Sequence, residues 1–236
     1  MNADSQTLII TGASSGIGLA TARRFLSEGW QVVNLSRRPC PETSVHSIEV
    51  DMLSPDWLAT SLAAIHARVP EASQCALVHN AARLVNDALT DANADVFRSL
   101  LELNVTVPMA LTAALLPRMA KGSSVLYVGS TLSEKAVAGA MSYVTSKHAL
   151  LGLMRASAQD LAGSGIHTAL VCPGFTDTEM VRSHISDPEV LQAIGANNGF
   201  SRLVQPAEIA EALWFCAANP VINGSVIHAN LGQIES

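Results

Sequence analysis

Residues 7–29 read TLIITGASSGIGLATARRFLSEG. Thr7–Ile10 is a short apolar run and predicts a buried strand, and Gly18–Glu28 has the spacing of a helix. Between them lies TGASSGIG at 11–18, where Gly12, Gly16 and Gly18 let the backbone turn tightly and approach a pyrophosphate. Ser14, Ser15 and Ile17 complete that loop, and the helix behind it offers unpaired amides and the positive end of its dipole. Strand, glycine loop and helix in this order favour a nucleotide-binding unit over a bare turn.

The alternation continues to the C-terminus. Gln31–Leu35, Val45–Val50, Ala76–Val78, Val125–Val128, Thr168–Val171 and Val226–Ala229 read as further strands. Asp56–Val69, Ala94–Met119, Tyr143–Ala162 and Ala207–Ala218 read as helices between them. Such alternation predicts an α/β fold, a doubly wound parallel sheet of the Rossmann-like kind, with ligands at the C-terminal ends of the strands. No linker or repeat divides residues 1–236, so one domain is expected, with Thr176–Gln205 inserted as a small helical flap.

The strand ends supply the remaining candidates for a dinucleotide site. Arg37 and Arg38 follow the second strand, where a chain preferring NAD usually carries an acid for the ribose 2′-hydroxyl. No acid occupies Asn34–Arg38, and arginine suits a 2′-phosphate, so NADP is expected over NAD. Asp51 reads equally as a contact to adenine or as a strand-end cap. Asn80 and Ala81 follow the fourth strand, where small residues let the backbone run along a cofactor. Pro173, Gly174, Thr176 and Thr178 follow the sixth, where hydroxyls can meet a nicotinamide carboxamide or merely complete a rigid turn.

Residues 123–151 read SSVLYVGSTLSEKAVAGAMSYVTSKHALL and carry the candidate chemistry. A strand here delivers Ser130 at its C-terminal end. Tyr143 and Lys147, four apart, share one face of the helix that follows. A free tyrosine titrates near ~10, and a nearby ammonium favours the phenolate, so Lys147 is expected to lower the pKa of Tyr143. An oxidised nicotinamide would add a second positive charge. Ser130 can donate a hydrogen bond to a carbonyl oxygen as charge develops on it, while Tyr143 passes a proton. Asn104, inside a helical pattern, can hold an ordered water behind such a site, although taken alone it reads as incidental.

The totals narrow the function classes. Of 236 residues, 49% are hydrophobic and 14% charged, which excludes a disordered chain. A net charge of −6 offers no general attraction to nucleic acid or to anionic membranes. Cys40, Cys75, Cys172 and Cys216 lack CxxC spacing, and the seven histidines are scattered, so neither a metal site nor a disulfide framework is expected. The N-terminal MNADSQTLII has no basic leader, and no apolar run reaches 18 residues. A cytoplasmic protein without a membrane span is expected.

Taken together, TGASSGIG at 11–18, Asn80-Ala81-Ala82, Asn104, Ser130, the Tyr143–Lys147 pair and Pro173-Gly174 resemble the short-chain dehydrogenase/reductase family. The resemblance covers essentially the whole chain. It implies that Tyr143 is the general acid/base and that Ser130 orients and polarises the carbonyl. Lys147 would bind the nicotinamide ribose and depress the tyrosine pKa, and Asn104 would anchor a water in the proton relay. It also implies a homo-oligomer, a tetramer or dimer, formed through the helices at Ala94–Met119 and Tyr143–Ala162. His79, Ala82 and Val107 depart from the family's usual residues, and Asn230-Leu231-Gly232 replaces its frequent C-terminal Asp-Gly-Gly, which puts the C-terminal packing in question.

The expected substrate is a small carbonyl or alcohol compound. Val137, Met141, Phe175, Met180, Val181, Ile185 and Leu191 would give it an apolar lining. That favours a 3-oxoacyl thioester or a small aliphatic or cyclic ketone. The alternative is a non-catalytic NADP-sensing regulatory protein on the same fold, which has no need of Ser130, Tyr143 and Lys147 together.

Overall fold

Seven parallel strands form one sheet in the order β3-β2-β1-β4-β5-β6-β7. They are β1 (Thr7–Thr11), β2 (Gln31–Ser36), β3 (His46–Glu49), β4 (Cys75–His79), β5 (Ser124–Val128), β6 (His167–Pro173) and β7 (Ser225–Ala229). The structure, a computed structural model, describes residues 6–185 and 187–234. The N-terminal reading of residues 1–5 lies outside these residues, as does Ser186 within the expected flap.

All of β1, β4, β5 and β6 is buried, which is why these strands read as unbroken apolar runs. Alternate residues along each strand feed two separate cores. Ile9, Val33, Leu77, Val125 and Leu170 face one helical layer, while Leu8, Val32, Ala76, Leu126 and Ala169 face the other. The first layer holds α2 (Trp57–His66), α3 (Ala94–Leu101), α4 (Val107–Leu115) and α5 (Met141–Asp160). The second pairs α1 (Gly16–Ser27) with α8 (Pro206–Ala218). Phe25, Trp30 and Trp214 meet edge to face there, with ring centroids 5.0–5.9 Å apart.

The expected single helix over Ala94–Met119 is instead a composite. Five residues, Glu102–Thr106, wind as a π turn between α3 and α4, and Leu116–Arg118 ends the stretch as a 3-10 turn. By length and composition Ala94–Arg118 is apolar enough to cross a membrane. Its buried Val107, Leu111 and Leu115 nevertheless share a core cluster with Leu77, Val125 and Tyr127, as a core helix does. The segment that breaks the alternation contains two short helices, α6 (Glu179–His184) and α7 (Pro188–Ala196), between β6 and α8.

The sheet order reverses at β1, between β2 and β4, and a cleft opens at the strands' C-terminal ends. His79, unusual at the end of β4, is accommodated by stacking on Tyr127 at 5.0 Å and by a 2.8 Å hydrogen bond between Nε2 and the Thr112 hydroxyl. The C-terminal segment also packs. The Gly174 amide donates to Ala229 O, and a Cβ on Gly174 would come within 2.9 Å of Asn230 Cβ.

Candidate active site

The ends of β1 and β4 are laced together. The Thr11 hydroxyl accepts hydrogen bonds from the amides of Asn80 and Ala81, both at 3.0 Å. The Asn80 side chain donates in return to the carbonyls of Thr11 and Gly12. Gly12 and Gly16 have φ of 76° and 56°, in the left-handed region that a side chain strains. Gly18 is needed for a different reason: a Cβ there would stand 2.2 Å from Gly12 O and 2.6 Å from Asn80 Nδ2.

The cleft has a volume of about 630 Å³. Gly12, Ser14, Ser15, Gly16, Ile17, Arg37, Arg38, Asp51, Asn80 and Ala81 line it. So do Ser130, Tyr143, Lys147, Pro173, Gly174, Thr176 and Thr178. Of the expected site residues, only Gly18 and Asn104 stay out of the lining. The set fits a dinucleotide on structural grounds. Residues 12–16 of the glycine loop carry no bulky side chain, Ser15 makes no side-chain cap to α1, and no acid sits in that helix's first turn. Asp51 accepts a hydrogen bond from the Leu53 amide at 3.1 Å, so it caps its turn while bordering the cleft. Arg37 makes no ion pair among the described residues, whereas Arg38 lies 3.3 Å from Glu179 of α6.

Ser130 is fixed from both sides. Its hydroxyl accepts from the Leu132 amide at 3.1 Å, and the Ser133 hydroxyl accepts from the Ser130 amide at 3.1 Å. Gly129 before it leaves room for this turn, since a Cβ would come within 2.9 Å of the Ser133 hydroxyl. At the start of α5, Asp87 takes the Ser142 amide at 2.9 Å and the Ser142 hydroxyl. The backbones of Asp87, Gly139 and Met141 exchange two further bonds. That clamp sits one residue before Tyr143.

The Lys147 ammonium is buried and donates to Val128 O at 2.8 Å. Burial holds Lys147 down at about 8. Burial also pushes the Tyr143 phenol up to about 12, against the opposing effect of its hydrogen bond with Ser130. The expected lowering of the tyrosine pKa is therefore corrected for the protein by itself. Lys147 stands over the ring, 5.5 Å from its centroid, and desolvation is the largest influence on the phenol.

Asn104 lies in the π turn behind this wall. Its side-chain oxygen accepts from the Arg83 amide at 2.9 Å, and its two amide hydrogens go to Arg83 O and the Ser146 hydroxyl, each at 3.0 Å. Both amide hydrogens are taken, while the side-chain oxygen keeps one further acceptor position for the expected water, and the side chain clasps the loop after β4 to α5.

Of the expected apolar substrate residues, Val137, Phe175, Met180 and Val181 reach the cleft, while Met141, Ile185 and Leu191 do not. Sequence reasoning missed Arg83, Leu84, Leu103, Leu132, Glu179 and Gln233, which also line it. Gln233 arrives only because the C-terminal segment bridges back to Asn198, a pairing without a local signal.

A family model described as Enoyl-(Acyl carrier protein) reductase matches residues 12–233. A protein of Streptomyces coelicolor named as a putative ketoacyl reductase is 32% identical over 230 residues, covering 88% of each chain. The ligand-free aldohexose dehydrogenase of Thermoplasma acidophilum superposes with a TM-score of 0.89 at 28% identity, covering 98% of this chain and 94% of its own. An actinorhodin polyketide ketoreductase variant solved with NADPH superposes with a TM-score of 0.85 at 28% identity, covering 98% and 97%.

Proposed function

We propose, from the premise that this chain belongs to the short-chain dehydrogenase/reductase family, that it interconverts a ketone and a secondary alcohol by hydride transfer with NADP. The observation that carries this reading is that Ser130, Tyr143 and Lys147 line the same cleft as the glycine loop.

Gly12, Ser14, Ser15, Gly16, Ile17, Asn80 and Ala81 would hold the pyrophosphate side of the dinucleotide, with Gly18 keeping the helix close behind them. Arg37 and Arg38 would hold the 2′-phosphate, and Asp51 would border the adenine. Pro173, Gly174, Thr176 and Thr178 would hold the nicotinamide end. When bound, the nicotinamide supplies or accepts the hydride.

This chain's residues do the rest. The Ser130 hydroxyl donates to the substrate oxygen as negative charge grows there. Tyr143 gives that oxygen its phenolic proton in reduction and takes it back in oxidation. Lys147, steadied by Val128 O, binds the ribose and favours the phenolate once the proton has left. Asn104 acts as a positioning residue through Arg83 and Ser146.

Leu84, Leu132, Val137, Phe175 and Met180 make the substrate end apolar, which suits a 3-oxoacyl thioester or a small aliphatic or cyclic ketone. The name of the Streptomyces relative supports the first of these, and the NADPH-bound ketoreductase supports the cofactor. Residues 176–205 would act as the substrate flap of a single cytoplasmic domain, assembled as a dimer or tetramer through the helical stretches Ala94–Met119 and Tyr143–Ala162.

The test is NADPH consumption over a panel of 3-oxoacyl thioesters, diketones and cyclic ketones, with Tyr143→Phe as the blank. KM is measured for NADPH and NADH in parallel. Turnover that persists in Tyr143→Phe ends the mechanism, and a clear preference for NADH ends the reading of Arg37 and Arg38.

A further inference from the structure

Glu179, the first residue of α6, reaches the end of β2, where its Oε2 lies 3.3 Å from Arg38 Nη2. Both residues line the cleft, with side chains 65% and 63% exposed. The contact joins segments 141 residues apart, and the neighbouring Arg37 makes no ion pair among the described residues. The attachment of α6 to the cofactor loop does not stop at this pair. Thr178 caps α6 by accepting from the Val181 amide at 3.3 Å, and a Cβ on Gly16 would lie only 3.2 Å from Thr178 Cγ2. Successive residues of the flap therefore rest on the glycine loop and on Arg38.

A guanidinium grips phosphate best when its planar fork is free to donate twice. Glu179 occupies part of the Arg38 fork, which a 2′-phosphate would otherwise use. The acid whose absence from Asn34–Arg38 favoured NADP is thus supplied from the other side of the cleft, by the flap. We propose that Glu179 is a specificity-determining residue that opposes the 2′-phosphate, so that NADP binds only by displacing Glu179 from Arg38 and releasing the bridge between α6 and β2. The proposal rests on Arg37 and Arg38 being the phosphate ligands. Because the pair is exposed, the effect is modest, roughly two- to fivefold in affinity.

Calorimetric titration with adenosine 2′,5′-bisphosphate and with 5′-AMP isolates the 2′-phosphate without any turnover. Glu179→Gln is expected to tighten the bisphosphate about two- to fivefold at low salt and to leave 5′-AMP unchanged. In an Arg38→Met background the same change is expected to gain nothing. An unchanged or weaker bisphosphate affinity in Glu179→Gln overturns the proposal. Equal tightening of 5′-AMP overturns it too, as does a gain that survives in Arg38→Met. If Arg37→Met and Arg38→Met both leave bisphosphate affinity at the wild-type value, the fault lies with the arginines as phosphate ligands.

Discussion

The Lys147 ammonium stands over the ring of Tyr143, 5.5 Å from its centroid, rather than against the phenolic oxygen. A cation in that position interacts with the ring's quadrupole as well as with the hydroxyl dipole. In the protein by itself the two groups are held at about 8 and about 12, each displaced by burial towards its neutral form. The acid/base poise of the pair is thus set by desolvation until further charge enters the cleft.

The chain has two tyrosines, and burial raises both Tyr127 and Tyr143. Ultraviolet titration without dinucleotide should therefore show no tyrosinate below about pH 10. Oxidised NADP should bring one tyrosine down, and that step should vanish in Tyr143→Phe. The same variant should lose roughly 10²–10⁴ in kcat for carbonyl reduction.

His79 is buried and neutral, and desolvation takes it from an ordinary 6.5 down to about 3. The unfolded chain gains a proton below about 6.5 that the folded chain refuses, so stability falls as pH falls from there towards 3. The slope from this group approaches about 1.4 kcal/mol per pH unit. Denaturant midpoints across that range should decline steeply in the wild type and more gently in His79→Asn, even if the variant starts lower because it loses the Tyr127 stack.

Asp87 holds the first turn of α5 through Ser142, one residue before Tyr143. Asp87→Ala leaves that amide and hydroxyl without their carboxylate, which should cost about 1–3 kcal/mol of stability. Melting temperature reads that loss. Activity should fall through kcat more than through the KM for the dinucleotide, because the glycine loop is untouched.

Gly18→Ala puts a methyl group 2.2 Å from the Gly12 carbonyl, and the neighbouring Asn80 amide blocks retreat. The glycine loop has to shift. Dinucleotide affinity should drop by at least about tenfold, a 1.4 kcal/mol effect, while Gly152→Ala, with open space on the Cβ side, should not change it.

Much of the fold is legible in the sequence, because strands buried on both faces read as apolar runs and β1 leads directly into the glycine loop. The tyrosine, lysine and serine are legible too, since their spacing is local. What escapes are pairings across long stretches of chain. Asp87 and Ser142 are 55 residues apart, and Arg38 and Glu179 are 141 apart. Arg37 and Arg38 are indistinguishable as letters, yet among the described residues only Arg38 meets an acid. The sign of the tyrosine shift also escapes, because it depends on how far the fold desolvates the phenol.

The π turn at Glu102–Thr106 limits how this region can vary in length. It accommodates one more residue than an α turn would, taken up within a single wide turn, so α3 and α4 keep their phase on either side. A one-residue deletion there would restore ordinary winding with Val107, Leu111 and Leu115 still facing the core. What it would move is the wide turn itself, and with it the hold of Asn104 on Arg83 and Ser146.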